Sequence, residues 1–252
     1  VIARARSSGG SRQGGADVRW LAALAAAPIL SGILAIPAAA QVSGSIDIES
    51  DYRLRGYSLS AGRPVATAQI GYDDESGVYL NLSATGEIGR DDPLFLGVQG
   101  NIGYVRRLNQ KLSIDAGVTR SQYRASVRKS RAHDYTEIYL GLATGPFSAR
   151  VYYSPDYYQS GVSTLYGEAE ATIRPAEHWR LTGHLGSLVY LTTPARYIPG
   201  REARYDWRAG VSRELGNFDL HTALSGGGRG KEYYSGELHS KLALTAGASW
   251  SF

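Results

Sequence analysis

The stretch Leu238-His239-Ser240-Lys241-Leu242-Ala243-Leu244-Thr245-Ala246-Gly247-Ala248-Ser249-Trp250-Ser251-Phe252 changes character at every residue. One face reads Leu238, Ser240, Leu242, Leu244, Ala246, Ala248, Trp250 and Phe252. The other reads His239, Lys241, Ala243, Thr245, Gly247, Ser249 and Ser251. Successive Cβ atoms of an extended chain point to opposite sides, so a period of two predicts a strand with one apolar and one polar face. Such a strand is far longer than the roughly 5 or 6 residues usual in a soluble sheet.

The same template, carried back along the chain, finds eleven more strands. They fall near 43–52, 64–73, 77–87, 95–107, 111–124, 134–144, 147–155, 164–174, 178–189, 204–214 and 217–226. In the third, Val78, Leu80, Leu82 and Ala84 oppose Tyr79, Asn81, Ser83, Thr85 and Glu87. Short links at 74–76, 108–110, 145–146, 175–177 and 215–216 alternate with long ones at 53–63, 88–94, 125–133, 156–163, 190–203 and 227–236. That asymmetry separates a transmembrane barrel from a soluble β-sandwich, because outer-membrane barrels have short periplasmic turns and longer extracellular loops. The expected fold is all-β: a closed antiparallel transmembrane β-barrel of about twelve strands, with both mature termini on the periplasmic side. Apolar faces point to lipid, and Tyr104, Tyr153, Trp179, Tyr205, Trp207 and Trp250 belong to interfacial girdles.

Composition agrees. Among 252 residues there are 31 Gly and 18 Tyr but no Cys and no Met. Glycine and tyrosine disfavour long helices, and without thiols there is no disulfide, zinc-thiolate site or cysteine nucleophile. Arg4, Arg6, Arg12 and Arg19 precede an uncharged run, Trp20 to Ala40, that ends in small residues. Residues 1–40 therefore read as a signal peptide with a long n-region, cleaved after Ala40, with 41–252 as a single barrel domain. The alternative is a membrane anchor, but Pro28, Gly32 and Pro37 interrupt the run. Removing these residues leaves 23 basic and 22 acidic side chains, so nucleic acid is not an expected partner.

Ser50-Asp51-Tyr52-Arg53-Leu54-Arg55-Gly56-Tyr57-Ser58-Leu59-Ser60, with Pro64 and Gln69 downstream, resembles the opening motif of the TorF-type porins, a proteobacterial outer-membrane family. Leu54 and Leu59 stand where that motif has Phe and Gln. The resemblance implies an outer-membrane porin of a Gram-negative bacterium. Within the motif, Ser50, Asp51, Tyr52, Arg55, Gly56 and Ser58 match. Tyr52 is expected to end the first strand, Gly56 to supply a positive-φ turn into the first long loop, and Asp51 to pair with Arg53 or Arg55.

The same register places Asp47, Glu49, Glu87, Asp115, Glu137, Glu168, Glu170 and Asp219 inside the barrel, with Arg150, Arg180, Arg204, Arg208 and Lys241. Arg150, Arg180 and Arg208 are expected to face Glu168, Glu170 and Glu137 across a wet lumen, passing small hydrophilic solutes. The competing arrangement is a closed interior of cross-strand pairs such as Arg150 with Glu168 or Glu170. Trp250 and Phe252 resemble the C-terminal signal read by the barrel assembly machinery.

Enzymes are the third class. A hydrolase would need an outward His beside Ser, whereas His184, His221 and His239 fall on the lumen face. The dipeptides Asp91-Asp92 and His133-Asp134 invite comparison with omptin-like proteases, which have ten strands. No metal-spaced cluster or phosphate loop stands out, so no catalytic residue, metal or cofactor is expected. Arg120, Arg124, Arg128, Lys129 and Arg131 make the third loop basic, suited to lipopolysaccharide phosphates as well as to water.

Overall fold

The computed structural model describes residues 40–89, 94–124, 133–158, 160–192, 203–227 and 242–252. Twelve strands form the wall: β1 (Ala40–Glu49), β4 (Val65–Asp74), β5 (Val78–Glu87), β6 (Phe95–Arg107), β7 (Leu112–Tyr123), β8 (His133–Thr144), β9 (Phe147–Ser154), β10 (Thr164–Ala176), β11 (Trp179–Tyr190), β12 (Arg204–Leu215), β13 (Phe218–Gly227) and β14 (Leu242–Ser251). Each pairs antiparallel with its neighbours, and β1 closes the barrel between β4 and β14. Closure removes the sheet edges, so the ladder runs unbroken around the wall.

Burial is inverted relative to a water-soluble fold. Leu244 is 74% exposed and Leu185 67%, while Asp115, Glu137 and Asp206 are buried. The exposed residues are the apolar half of each alternating strand: Ile46 and Ile48, Leu80 and Leu82, Leu140 and Leu142. So extensive an apolar surface is far beyond the few hundred Å² a soluble monomer presents, and its fitting solvent is hydrocarbon. Tyr72, Tyr104, Phe147, Trp179, Phe218 and Trp250 are exposed near the short-turn rim, and Phe95, Tyr153 and Tyr205 near the long-loop rim. Trp207 lies against Gly226 on the neighbouring strand.

The seam is secured by residues flanking the paired strands. Gly44 N–H donates to the Phe252 carbonyl at 3.1 Å, and Phe252 N–H donates back to Gly44 at 3.0 Å. The Phe252 ring occupies the space that a Cβ on Gly44 would need, and packs against Trp250 with ring centroids 4.9 Å apart.

The strand expectations hold within a few residues, apart from the two ends of the wall. The first strand stops at Glu49, so Tyr52 is not its end, and 53–63 is no simple surface loop. The last strand is described from Leu242. Residues 1–39, on which the signal-peptide reading rests, lie outside the described residues. So do Asp91-Asp92, Arg128, Lys129, Arg131, His239 and Lys241, and the side chain of His133.

Candidate functional site

After β1 the chain folds into a small hairpin, β2 (Arg53–Leu54) paired with β3 (Tyr57–Ser58). Its two turn residues, Arg55 (φ 48) and Gly56 (φ 80), are both left-handed, the signature of the tight turns that suit hairpin twist. The base of the hairpin is organised by one carboxylate. Asp51 Oδ1 accepts the hydroxyls of Ser58 and Ser60, the latter at 2.9 Å, and the Gly62 N–H at 3.2 Å. Asp51 Oδ2 accepts Arg53 Nη1 at 2.9 Å, and Ser60 Oγ accepts the Tyr52 N–H at 2.9 Å. The Ser-Asp-Tyr…Ser…Ser spacing is thus a local hydrogen-bonding unit. Of the two arginines expected to pair with Asp51, it is Arg53 that does so.

Arg55 instead points across the barrel. Its Nη2 donates to both oxygens of Glu137 on β8, at 2.8 and 2.9 Å. Its guanidinium lies 3.9 Å from the Tyr166 ring centroid, 5.3 Å from Tyr157 and 5.7 Å from Tyr152. A planar, delocalised cation is suited to be paired in-plane and stacked face-on at once. Gly56 seats the tip against β12 and β13, where any Cβ would lie 2.8 Å from Asp206 Cβ and 3.0 Å from Gly227 Cα. Tyr57 and Leu59 join Tyr123, Tyr135, Tyr157, Tyr158, Tyr166 and Leu188 in an apolar cluster inside the barrel. The hairpin therefore narrows the lumen. Beside it lies a cavity of about 320 Å³, lined by Glu49, Asn81, Asn101, Glu168, His184 and Arg208 among others.

Among the described residues the expected lumen charges face inward, but several pair differently. Arg150 sits opposite Glu168 in register yet turns the other way, donating Nη2 to Asp115 at 2.7 Å and Nε at 3.1 Å. Gly141 is the reason. It lies between Asp115 and Arg150 on successive strands, and a Cβ there would lie 2.7 Å from Arg150 Cγ. The bare backbone is a saddle over which the two side chains meet. The Tyr79 and Tyr139 hydroxyls meet the same way across Gly103 and Gly117. Glu168 accepts the Tyr152 hydroxyl at 2.8 Å. Arg180 reaches Asp219 at 2.6 Å and Glu214 at 3.4 Å. The expected facing of Arg150 and Arg180 with Glu168, Glu170 and Glu137 is therefore corrected: Glu137 belongs to Arg55, and Arg208 forms no ion pair among the described residues.

Ser50, at the exit of β1, accepts the Ala246 N–H through its hydroxyl at 3.0 Å, tying the motif to the seam. Arg120, expected in the third loop, lies in β7 and pairs with Asp134 and Thr136 on the exposed face. Asp206 was not among the expected lumen acids, although it shares its face with Arg204 and Arg208 at a spacing of two. That alternation was the available signal.

The closed twelve-stranded antiparallel barrel, with an apolar outside and a charged inside, resembles the outer-membrane porins in fold. The chain belongs to the family Gcw_chp, bacterial protein of unknown function, whose profile matches residues 36–236. Two solved structures are similar in fold. The KdgM porin aligns with a TM-score of 0.51 and 14% identity over 83% of this chain and 99% of that one. The NanC porin aligns with a TM-score of 0.55 and 11% identity over 81% and 98%. No curated protein sequence matches the chain.

Proposed function

We propose that the protein is an outer-membrane channel of a Gram-negative bacterium that passes small hydrophilic solutes by diffusion, its lumen narrowed by the hairpin of the first loop. The observation that carries this reading is the interior itself. A cavity of about 320 Å³ is bordered by carboxylates, arginines and amides, and buried charge of both signs is best accommodated where water enters. The motif resemblance to the TorF-type porins and the likeness of fold to two porins support the same class. In this reading the chain is exported by a signal peptide ending at Ala40, short turns face the periplasm, and Trp250 and Phe252 engage the assembly machinery. The exposed Arg120 and Arg124 then meet lipopolysaccharide phosphates at the outer rim.

The second reading is a closed structural barrel. It is favoured by the apolar cluster around Tyr57 and Leu59, which fills part of the interior. Planar-bilayer recording of the purified protein separates the two: stepwise conductance supports the channel, and a silent bilayer with folded protein present supports the closed barrel.

A further inference from the structure

Beside the hairpin tip, three wall strands bring unlike metal-ligating groups together. Glu168 and Glu170 come from β10, His184 from β11 and Asp206 from β12, with Glu170 opposite His184 in register and Gly186 between Glu168 and Asp206. One ligand atom each from Glu168, Glu170 and His184 falls within 4.8 Å of the others. His184 Nε2 lies 2.9 Å from Asp206 Oδ1, and Nδ1 lies 3.3 Å from Glu170 Oε1. Tyr152 donates to Glu168, and Tyr166 donates to Asp206 at 3.2 Å.

We propose that Glu168, Glu170 and His184 bind one divalent transition-metal ion, with Asp206 positioning the imidazole. Three observations carry this. The first is charge: three carboxylates surround one imidazole, so even an imidazolium leaves two negative charges. The neighbouring arginines are engaged elsewhere, Arg55 with Glu137 and Arg150 with Asp115, and Arg208 pairs with none of the three among the described residues. A divalent cation balances that excess. The second is the imidazole's orientation. Nε2 faces buried Asp206 and Nδ1 faces the Glu170 carboxylate, so with Nε2–H donated to Asp206 the Nδ1 lone pair is directed to the place where an ion shared with Glu170 would sit. A metal-ligating histidine almost always donates its outer N–H to a carboxylate, a carbonyl or water, which fixes the ring's orientation. The third is how the imidazole is held. A Cβ on Gly186 would lie 2.7 Å from Asp206 Oδ2 and would also meet the Tyr166 hydroxyl, so this glycine lets Asp206 and Tyr166 reach over the strand to His184 Nε2, at 2.9 and 3.2 Å.

Mixed imidazole and carboxylate donors suit zinc, manganese or iron, whereas calcium favours an all-oxygen shell of six to eight ligands. Sequence spacing alone did not reveal the site, because its residues come from three strands. It requires only the folded barrel and stands independently of conduction.

The test is calorimetric titration of the folded full-length protein in detergent with Zn²⁺, and separately with Ca²⁺. The expected result is one Zn²⁺ per chain, unaffected by His221→Gln, weakened about 10–100-fold by Asp206→Asn, and lost in His184→Gln and in Glu168→Gln/Glu170→Gln. Heat-modifiable gel mobility verifies that each variant is a folded barrel. In the wild type, Zn²⁺ is also expected to shield His184 from diethyl pyrocarbonate, read by peptide mass spectrometry, a result needing no variant. Absence of Zn²⁺ binding, equal binding of Ca²⁺, binding unchanged in folded His184→Gln, or no shielding of His184 overturns the proposal. A protein that binds zinc but does not conduct overturns the channel reading and leaves this site in place.

Discussion

Arg55 and Glu137, 82 positions apart in sequence, form a two-oxygen ion pair across the lumen with both side chains almost fully buried. Removing one partner of such a pair leaves the other charge buried and unpaired, at a cost of about 3–5 kcal/mol. Arg55→Ala is therefore expected to free the hairpin tip. Single-channel conductance should rise and the midpoint of urea unfolding should fall. Arg55→Ala/Glu137→Ala should regain part of the stability while keeping the higher conductance. A conductance equal to wild type in both variants would mean that the hairpin does not set the bore.

Asp51 is the acceptor on which the hairpin base converges. Asp51→Asn removes the ion pair with Arg53 and weakens the acceptor for Ser58, Ser60 and the Gly62 amide, an expected loss of about 1–3 kcal/mol. The loss falls on the hairpin and not on the wall. Amide exchange should quicken at 52–62 with the β-ladder unchanged; uniform loss of protection would count against this local role.

The saddle at Gly141 gives a test of register. Gly141→Ala places a methyl group between Asp115 and Arg150, and overpacking of this kind typically costs about 1–3 kcal/mol. Shortening the arginine as well, in Gly141→Ala/Arg150→Ala, relieves the clash but strands Asp115. Both variants should melt earlier than wild type, whereas Gly167→Ala, at a position with open space above it, should not.

How much of this was legible in the sequence depends on where the causes lie. Alternation along 238–252 and eleven other stretches is a local property, so strand number, facing and closure could be read from it. The Arg55–Gly56 turn was half legible, since Gly56 announces a positive φ. Nothing local says that the loop turns inward, because the partners that hold it there, Glu137 and Tyr166, lie on β8 and β10. The charge pairing was misread for a similar reason. Opposition in register suggests Arg150 with Glu168, and only the missing side chain at Gly141 directs the arginine the other way.

That correction alters the expected ion selectivity. Arg150 and Arg180 are each neutralised by carboxylates, so Arg150→Gln and Arg180→Gln should move the reversal potential little, whereas Arg208→Gln should shift it toward cations. Glu168→Gln/Glu170→Gln should shift it toward anions. Reversal potentials in a salt gradient decide this, and a larger effect from Arg150 than from Arg208 would contradict it.

Closure at the seam makes Phe252 a packing residue as well as a strand-end aromatic. Phe252→Ala empties the surface above Gly44, and the folded yield on insertion into vesicles is expected to fall while the conductance of correctly folded molecules stays the same. An altered conductance with normal yield would place its role in the lumen instead.

The seating of Gly56 against Asp206 and Gly227 has a consequence for the order of assembly. The hairpin emerges early in the chain, but its seat is built by β12 and β13, among the last strands to be made. Contacts between such distant segments form late, because the intervening chain must first be arranged. The tip is therefore expected to dock only after the wall has curled nearly shut, with a wider lumen before it narrows, so that docking of residue 56 would mark a completed barrel.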